Sequence, residues 1–284
     1  MTDKNVNRSS TTSPEFAERA LWVAHRACDA AALVLNRHYG RLKSVQEKFQ
    51  AGLVSEADRE SEDCIKATLL AEFPDHRILG EETGLSGENA SALWMIDPLD
   101  GTTNYVHRVP FWCSSIGLEV DGELLVGVID APALGWRYEA VRGGGAKLNG
   151  QSIRVSSRGE FRQGLYATGF SSSDHEMHPL DEQLELLAHV VRYARGIRRL
   201  GAAALDLCLV AEGVFDGFWE SNLQPWDTAA GVLIAREAGA VATDFTGREF
   251  EPRMKSILCA PPVPHAEVLQ FISRLRRASL RDDG

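Results

Sequence analysis

Residues 92–105, ALWMIDPLDGTTNY, constrain this chain more than any other stretch. Residues 92–96 form an apolar run with the length of a buried strand. Two carboxylates, Asp97 and Asp100, follow around Pro98, which has no N–H for a sheet ladder and is expected to end the strand. Gly101 permits a tight bend, and Thr102 or Thr103 is expected to cap a new helix. The stretch reads strand, acidic turn, helix start. An acidic pair in a turn is ordinarily a solvated turn. Here the pair would leave a strand end beside the N–H groups of a helix, so the carboxylates can hold a metal cation and the N–H groups a phosphate.

The remainder supplies a setting for that turn. Residues 14–38 carry apolar side chains at helical spacing, among them Phe16, Ala20, Val23, Ala27, Ala31 and Val34. A polar, poorly periodic connection over residues 41–52 is followed by a second helix. Ser55 is its expected N-cap, and Asp58 stands three residues on as the acidic half of a capping box. Residues 77–80 read as a strand. Residues 113–120, 123–130 and 135–141 are spaced as an antiparallel meander, and 143–151 as a glycine-rich turn region. Beyond residue 150 helices and strands alternate, as in α/β layers. The chain divides into a disordered lead-in (1–13), an α+β half (14–150) and an α/β half (151–284), the two halves sharing one cleft.

Charge and cysteine usage narrow the function. A net charge of −10 over 284 residues argues against a nucleic-acid partner, which calls for a basic face, and against an anionic membrane surface. No apolar run has the ~18 residues that span a bilayer, and the polar N-terminus lacks the apolar core of a signal peptide. The five cysteines are scattered, odd in number and without a CxxC, so they read as buried thiols of a cytoplasmic protein. An acidic protein still takes a phosphorylated substrate where metal ions reverse the local sign.

Carboxylates recur at strand ends and helix starts: Glu81 and Glu82 after 77–80, Asp97 and Asp100, Asp58 in a first helical turn, and Asp227 in QPWDTAAG at another helix start. Taken singly, each is explained by a helix dipole or a solvated turn. Together they occupy the strand ends where open α/β sheets hold ligands, and such a cluster needs a cation to offset its repulsion. Oxygen ligands without histidine or thiolate select magnesium or manganese over zinc. Elsewhere Trp226 reads as core, and His175, His178 and His189 as surface. Arg192, Arg195, Arg198 and Arg199 read as a solvated or dimer-facing cluster, or a device steering anionic substrate. Gly143–Gly145 fit no phosphate cradle and read as a turn. No Cys-x5-Arg loop occurs, which favours direct attack by water over a phosphocysteine.

GEE (80–82), IDPLDGTTNY (96–105) and QPWDTAAG (224–231), with LVSEAD (53–58), GGGAKLNGQSIRVS (143–156) and IRRLGAAALDLCLVAEG (197–213), resemble the inositol monophosphatase family of lithium-sensitive, magnesium-dependent phosphatases. The resemblance runs from about residue 15 to about 275. It implies a five-layer αβαβα sandwich of the α/β class, usually a homodimer, with two to three Mg2+ ions, or Mn2+ in their place. Carried over by motif, Glu81, Asp97 and the carbonyl of Leu99 would bind the first ion, and Asp97, Asp100 and Asp227 the second. Glu81 would help hold a weaker third. A metal-activated water would be oriented by Glu81 and Thr102, with Asp58 behind them. Gly101 and Thr102 would give N–H groups to the phosphate, and Asp100, Gly201, Ala203 and Glu220 would meet substrate hydroxyls.

The implied reaction is hydrolysis of a small polyol phosphate, with inositol monophosphate the default substrate. Histidinol phosphate is the runner-up, and fructose bisphosphate or NADP a side activity. A regulatory binding protein of the same fold is the rival from another class. The family often has aspartate where this chain has Gly52, which puts the third metal and lithium inhibition in question. Specificity would come from a rim formed by residues 171–178, 201–204 and 220–224.

Overall fold

The computed structural model describes residues 13–48, 52–88, 90–170 and 180–282. The lead-in expected at 1–13 lies outside the described residues except for Ser13, whose Oγ caps the first helix by accepting the Phe16 N–H at 3.1 Å. That helix, α1 (Pro14–His38), buries Ala20, Val23, Ala24, Ala27 and Ala31 on one face. Strands β1 (Val45–Lys48) and β2 (Gly52–Ser55) then pair antiparallel, where the sequence predicts a plain connection. Only Val45, Leu53 and Val54 among their residues are apolar, and they do not alternate, so the backbone pairing defines the two strands. Helix α2 (Glu56–Glu72) opens on the expected capping box of Ser55 and Asp58.

An eight-stranded sheet follows: β3 (Arg77–Gly80), β4 (Gly84–Ser86), β5 (Ala92–Asp100), β6 (Cys113–Val120), β7 (Glu123–Ala131), β8 (Trp136–Val141), β9 (Ala146–Leu148) and β10 (Gln151–Ser152). Its order is β10-β9-β8-β7-β6-β5-β3-β4. Strands β6 to β8 form the expected meander; β5 joins it antiparallel to β6, while β3 runs parallel to β5. The stretch read as a glycine-rich turn holds β9 between Gly145 and Gly150 and leads into β10. Its N–H groups at Gly143 and Gly145 both donate to the Glu237 carboxylate, at 2.8 Å each. A short helix, α3 (Thr102–Val106), leaves the end of β5.

The second sheet holds β11 (Leu165–Thr168), β12 (Gly196–Arg198), β13 (Gly217–Ser221), β14 (Val241–Thr243) and β15 (Ser256–Ala260), in the order β12-β11-β13-β15-β14. Helices α4 (Leu180–Tyr193), α5 (Ala203–Ala211), α6 (Pro225–Glu237) and α7 (Pro262–Asp282) connect or close it. Both sheets are apolar on two faces, as their alternating residues show. Trp94 and Ile96 of β5 pack under α1 and α2, whereas Leu93 and Met95 face α5 and α6. In the second sheet Phe218 and Cys259 face α5 and α6, whereas Trp219 and Leu258 lie under α4 and α7. The layers run α1/α2, large sheet, α5/α6, small sheet, α4/α7: a five-layer αβαβα sandwich.

Two glycines set how closely the middle layer sits. A Cβ on Gly117 of β6 would lie 2.8 Å from the Ala229 Cβ, and one on Gly127 of β7 2.8 Å from the Ala230 carbonyl. Helix α6 therefore rests directly on the sheet backbone, which fixes where its N-terminus points. Four of the five cysteines are buried and all five are free thiols. Among the described residues no helix is long and apolar enough to cross a membrane. His189 is half-buried rather than a surface residue, because it stacks on Phe271 at 3.7 Å between α4 and α7. His175 and His178 lie outside the described residues.

Candidate active site

Strand β5 does not stop at Pro98. It continues to Asp100 through a register shift against β6, with Asp97 opposite Ser115 and Asp100 opposite Cys113. Two residues, Pro98 and Leu99, thus bulge opposite the single Ser114, and a bulge asks no ladder N–H of the proline. Asp97 braces the bulge by accepting the Leu99 N–H at 2.9 Å, and Ser114 Oγ donates to the Pro98 carbonyl at 2.8 Å. Gly101, not a threonine, is the N-cap of α3, with φ 87° in the left-handed region. A Cβ there would lie 3.0 Å from the Phe111 carbonyl and 3.3 Å from Ala202, so glycine also admits the start of α5 to the site.

Parallel pairing delivers the next acid. Gly80 stands beside Ile96, so Glu81 leaves β3 next to Asp97, its N–H bonded to the Ile96 carbonyl at 3.2 Å. From the middle layer, Asp227 lies three residues into α6, where its carboxylate accepts the Gln224 N–H at 2.7 Å. From the outer helix layer, fully buried Asp58 takes the Ser55 N–H and hydroxyl at 2.8 and 2.7 Å, and its other oxygen faces the Thr102 hydroxyl at 3.1 Å. That hydroxyl also stands 3.0 Å from the Leu99 carbonyl. Four acids from β3, β5 and α6 thereby converge, with Thr102 and Asp58 beside them.

Their electrostatics express that convergence. Burial, then the charges of Glu81, Asp100 and Asp227, pushes the Asp97 carboxyl well above the usual carboxylate range. Burial and the Asp100 charge do the same to Asp227, against the pull of the Gln224 N–H. Burial pushes Asp100 up to about 7, although it accepts N–H bonds from Ala204, at 2.8 Å, and from Ala203. Burial raises Asp58 as well. Asp97 is in hydrogen-bonding contact with both Glu81 and Asp227. Two carboxyls can share such a bond only when one keeps a proton, and a cation between them relieves the same repulsion. Among the described residues no three acidic, histidine or cysteine side chains are already posed to grip a metal ion. The donor chemistry nonetheless fits a hard divalent cation: Glu81, Asp97, Asp100, Asp227 and the Leu99 carbonyl are all oxygen ligands.

The substrate side is less concentrated. The Ala203 N–H is spent on Asp100. Gly201 takes φ 85°, and Asn104 Nδ2 ties the segment down by donating to the Leu200 carbonyl at 2.7 Å. Half-buried Glu220, on β13, packs on Gly169 where any Cβ would collide with its carboxyl, and after burial its charge helps raise Asp206. Arg199 is exposed at this edge and donates to the Phe170 carbonyl at 3.1 Å. Of the expected specificity rim, residues 171–178 lie outside the described residues. Trp226 is half-buried rather than core, and its carbonyl accepts from Ser115 Oγ at 3.1 Å.

Sequence reasoning passed over two buried acids. Asp206 on α5 is 1% exposed, one of its oxygens has no hydrogen-bond partner, and burial holds it well above the usual range. The signal was a lone charge in LGAAALDLCLVA, a helix apolar on every side. Glu62 on α2 is 0% exposed. Its signal was only its spacing, four residues after Asp58.

The inositol monophosphatase family profile matches residues 17–277, nearly the whole chain. The chain belongs to the inositol monophosphatase family. Similar proteins include the Nus factor SuhB of Pseudomonas aeruginosa, 44% identical over 79% of this chain and 85% of that one. The inositol-1-monophosphatase of Rhizobium meliloti is 40% identical, again over 79% of this chain and 85% of that protein. Among solved structures, the extragenic suppressor protein suhB of Bartonella henselae superimposes with a TM-score of 0.85 at 38% identity, covering 89% of this chain and 98% of that one. Inositol monophosphatases are metal-dependent phosphatases, and the oxygen-only donor set described above suits that chemistry.

Proposed function

We propose that the chain hydrolyses a small polyol phosphate monoester, inositol monophosphate first among candidates, with magnesium as its cofactor. The observation that carries this is the convergence of Glu81, Asp97, Asp100 and Asp227 on one point beside Thr102. A divalent cation held there would supply charge to the phosphate oxygens and lower the pKa of an attacking water. The chain's own residues do the rest. Glu81 and Thr102 orient the water, and Asp58 holds the Thr102 hydroxyl. The N–H groups of Gly101 and Thr102 receive the phosphate, and Asp100, Gly201 and Glu220 meet substrate hydroxyls. The Ala203 N–H is available for that role only if Asp100 releases it. A homodimer, cytoplasmic, is part of the reading, and sizing the chain in solution checks the first.

The test is phosphate release from inositol phosphate, histidinol phosphate, fructose bisphosphate and NADP, with magnesium and with chelator. Release that ignores the chelator rejects the reading. A second reading has its own support: the relative 44% identical to this chain is named a Nus factor. On that reading the chain is a regulatory binding protein, and no member of the panel is turned over. The complete acid set favours catalysis.

A further inference from the structure

Helix α2 carries Asp58, Glu62 and Lys66 at successive four-residue steps, one polar stripe on a helix whose Ile65 and Leu69 enter the core. Glu62 finds its partners on another element. Its carboxylate accepts the N–H of Glu82 at 2.8 Å, the N–H of Thr83 at 3.1 Å and the Thr83 hydroxyl. Lys66 Nζ donates to that same hydroxyl at 2.8 Å, so a cation reaches the buried acid through one threonine. A Cβ on Gly80 would lie 2.5 Å from Glu62 Oε1, so the glycine before Glu81 is what admits Glu62. Glu81 is held between two anchors: its own N–H on Ile96 and the next N–H on Glu62.

The turn's donors do not require the clamp: Thr83 is exposed and Glu82 half-buried, so water can serve their N–H groups. What the clamp gains is a fixed turn. We propose that Glu62 is a positioning residue that aims the Glu81 carboxyl and thereby sets the affinity of the acidic site for a divalent cation. The inference rests on the metal-dependent reading above, and its readout is cation binding rather than turnover.

The experiment is calorimetric titration of the full chain with Mn2+. Glu62→Gln keeps the volume and one acceptor but turns an amide N–H toward the turn's donors. Its Mn2+ dissociation constant is expected to rise about 10-fold or more, the magnitude typical of partners that orient a metal ligand. Thr83→Val is expected to shift it in the same direction by less. Ser61→Ala is the control, because that buried hydroxyl bonds only to carbonyls of its own helix; thermal stability falls and Mn2+ binding holds. Glu62→Gln that loses stability yet binds Mn2+ as the parent does overturns the proposal. If that variant does not fold, Thr83→Val with unchanged affinity overturns it instead. A parent chain that binds no Mn2+ also overturns it. A parent that binds Mn2+ tightly, loses it on Glu62→Gln, and releases phosphate from no substrate leaves the positioning role standing and removes the phosphatase reading.

Discussion

At the scale of single residues, the acidic site works against the fold that holds it. Asp97 touches two other carboxyls, and burial with their charges raises its carboxyl well above the usual range, so the cluster favours a proton or a cation there. Asp97→Asn replaces that proton with permanent N–H donors. Two effects of opposite sign are expected. Without metal, the variant melts above the parent, because Glu81 and Asp227 gain a donor that no rise in pH removes. With magnesium, its metal affinity falls on the order of 10²-fold, as for a disturbed ligand shell, and phosphate release falls with it. Calorimetric melting in EDTA and phosphate assays across a magnesium series read the two separately. Asp206 has no such compensation, since one of its oxygens is unpartnered. Asp206→Leu, in a helix whose other residues are apolar, is expected to stabilise the chain by roughly 1–3 kcal/mol, the cost of an unsatisfied buried polar group. Urea unfolding at pH 7.5 measures it, and a loss of stability would show that Asp206 has a partner it needs.

At the scale of elements, the site depends on how α6 is seated. Gly127→Ala drives a methyl into the Ala230 backbone, and no flexible side chain is there to yield. The expected cost is about 1–3 kcal/mol of unfolding free energy, as for overpacking generally, with weaker Mn2+ binding because Asp227 moves with the helix. Wild-type affinity in a destabilised Gly127→Ala would break that link. The elements also show what one sequence can disclose. The capping box of Ser55 and Asp58 was legible because it is local, as were α1 and the meander. The pairing of β1 with β2 was not, since its residues carry no apolar pattern. Pro98 misled because the ladder rule ignores bulges, and Thr102 misled because Gly101 takes the cap in a conformation only glycine enters freely. His189 and Trp226 depend on neighbours brought from distant sequence. Local pattern suggested that acids gather at strand ends. The five layers came from the resemblance, not from periodicity, and the clamp of Glu62 on Glu82 and Thr83 is a tertiary contact that no spacing announces.

At the scale of the whole molecule, cation binding and proton binding compete through the same layers. Asp97 belongs to the large sheet and Asp227 to the middle helices, so a cation between them ties two layers together. In the metal-free chain, Asp97, Asp227 and Asp206 are held well above the usual range and Asp100 near 7. The unfolded chain, with aspartates near ~3.9, has released those protons at neutral pH. The native state then binds more protons than the unfolded state, and stability falls as pH rises through the native pKa values. Below about pH 7.5 the trend is opposed by buried and half-buried histidines. Burial lowers His76 to about 4 and depresses His189 and His265, and each of these adds stability as pH rises toward the free imidazole value. Above about pH 7.5 histidines are neutral in both states; the raised acids remain, joined as pH nears the free thiol value by Cys28, Cys113, Cys208 and Cys259, which burial raises and which act in the same direction. The melting temperature in EDTA is therefore expected to drop from pH 7.5 to 8.5. On the proposed reading, magnesium at a hundred times its dissociation constant would add about 2.7 kcal/mol by mass action. Its ligands must be deprotonated to bind, so the added stability grows with pH, and the two melting curves diverge as pH rises. A metal-free chain that gains stability between pH 7.5 and 8.5 would mean that these carboxyls ionise freely, apart from one another, and no shared cation would then be needed to hold them.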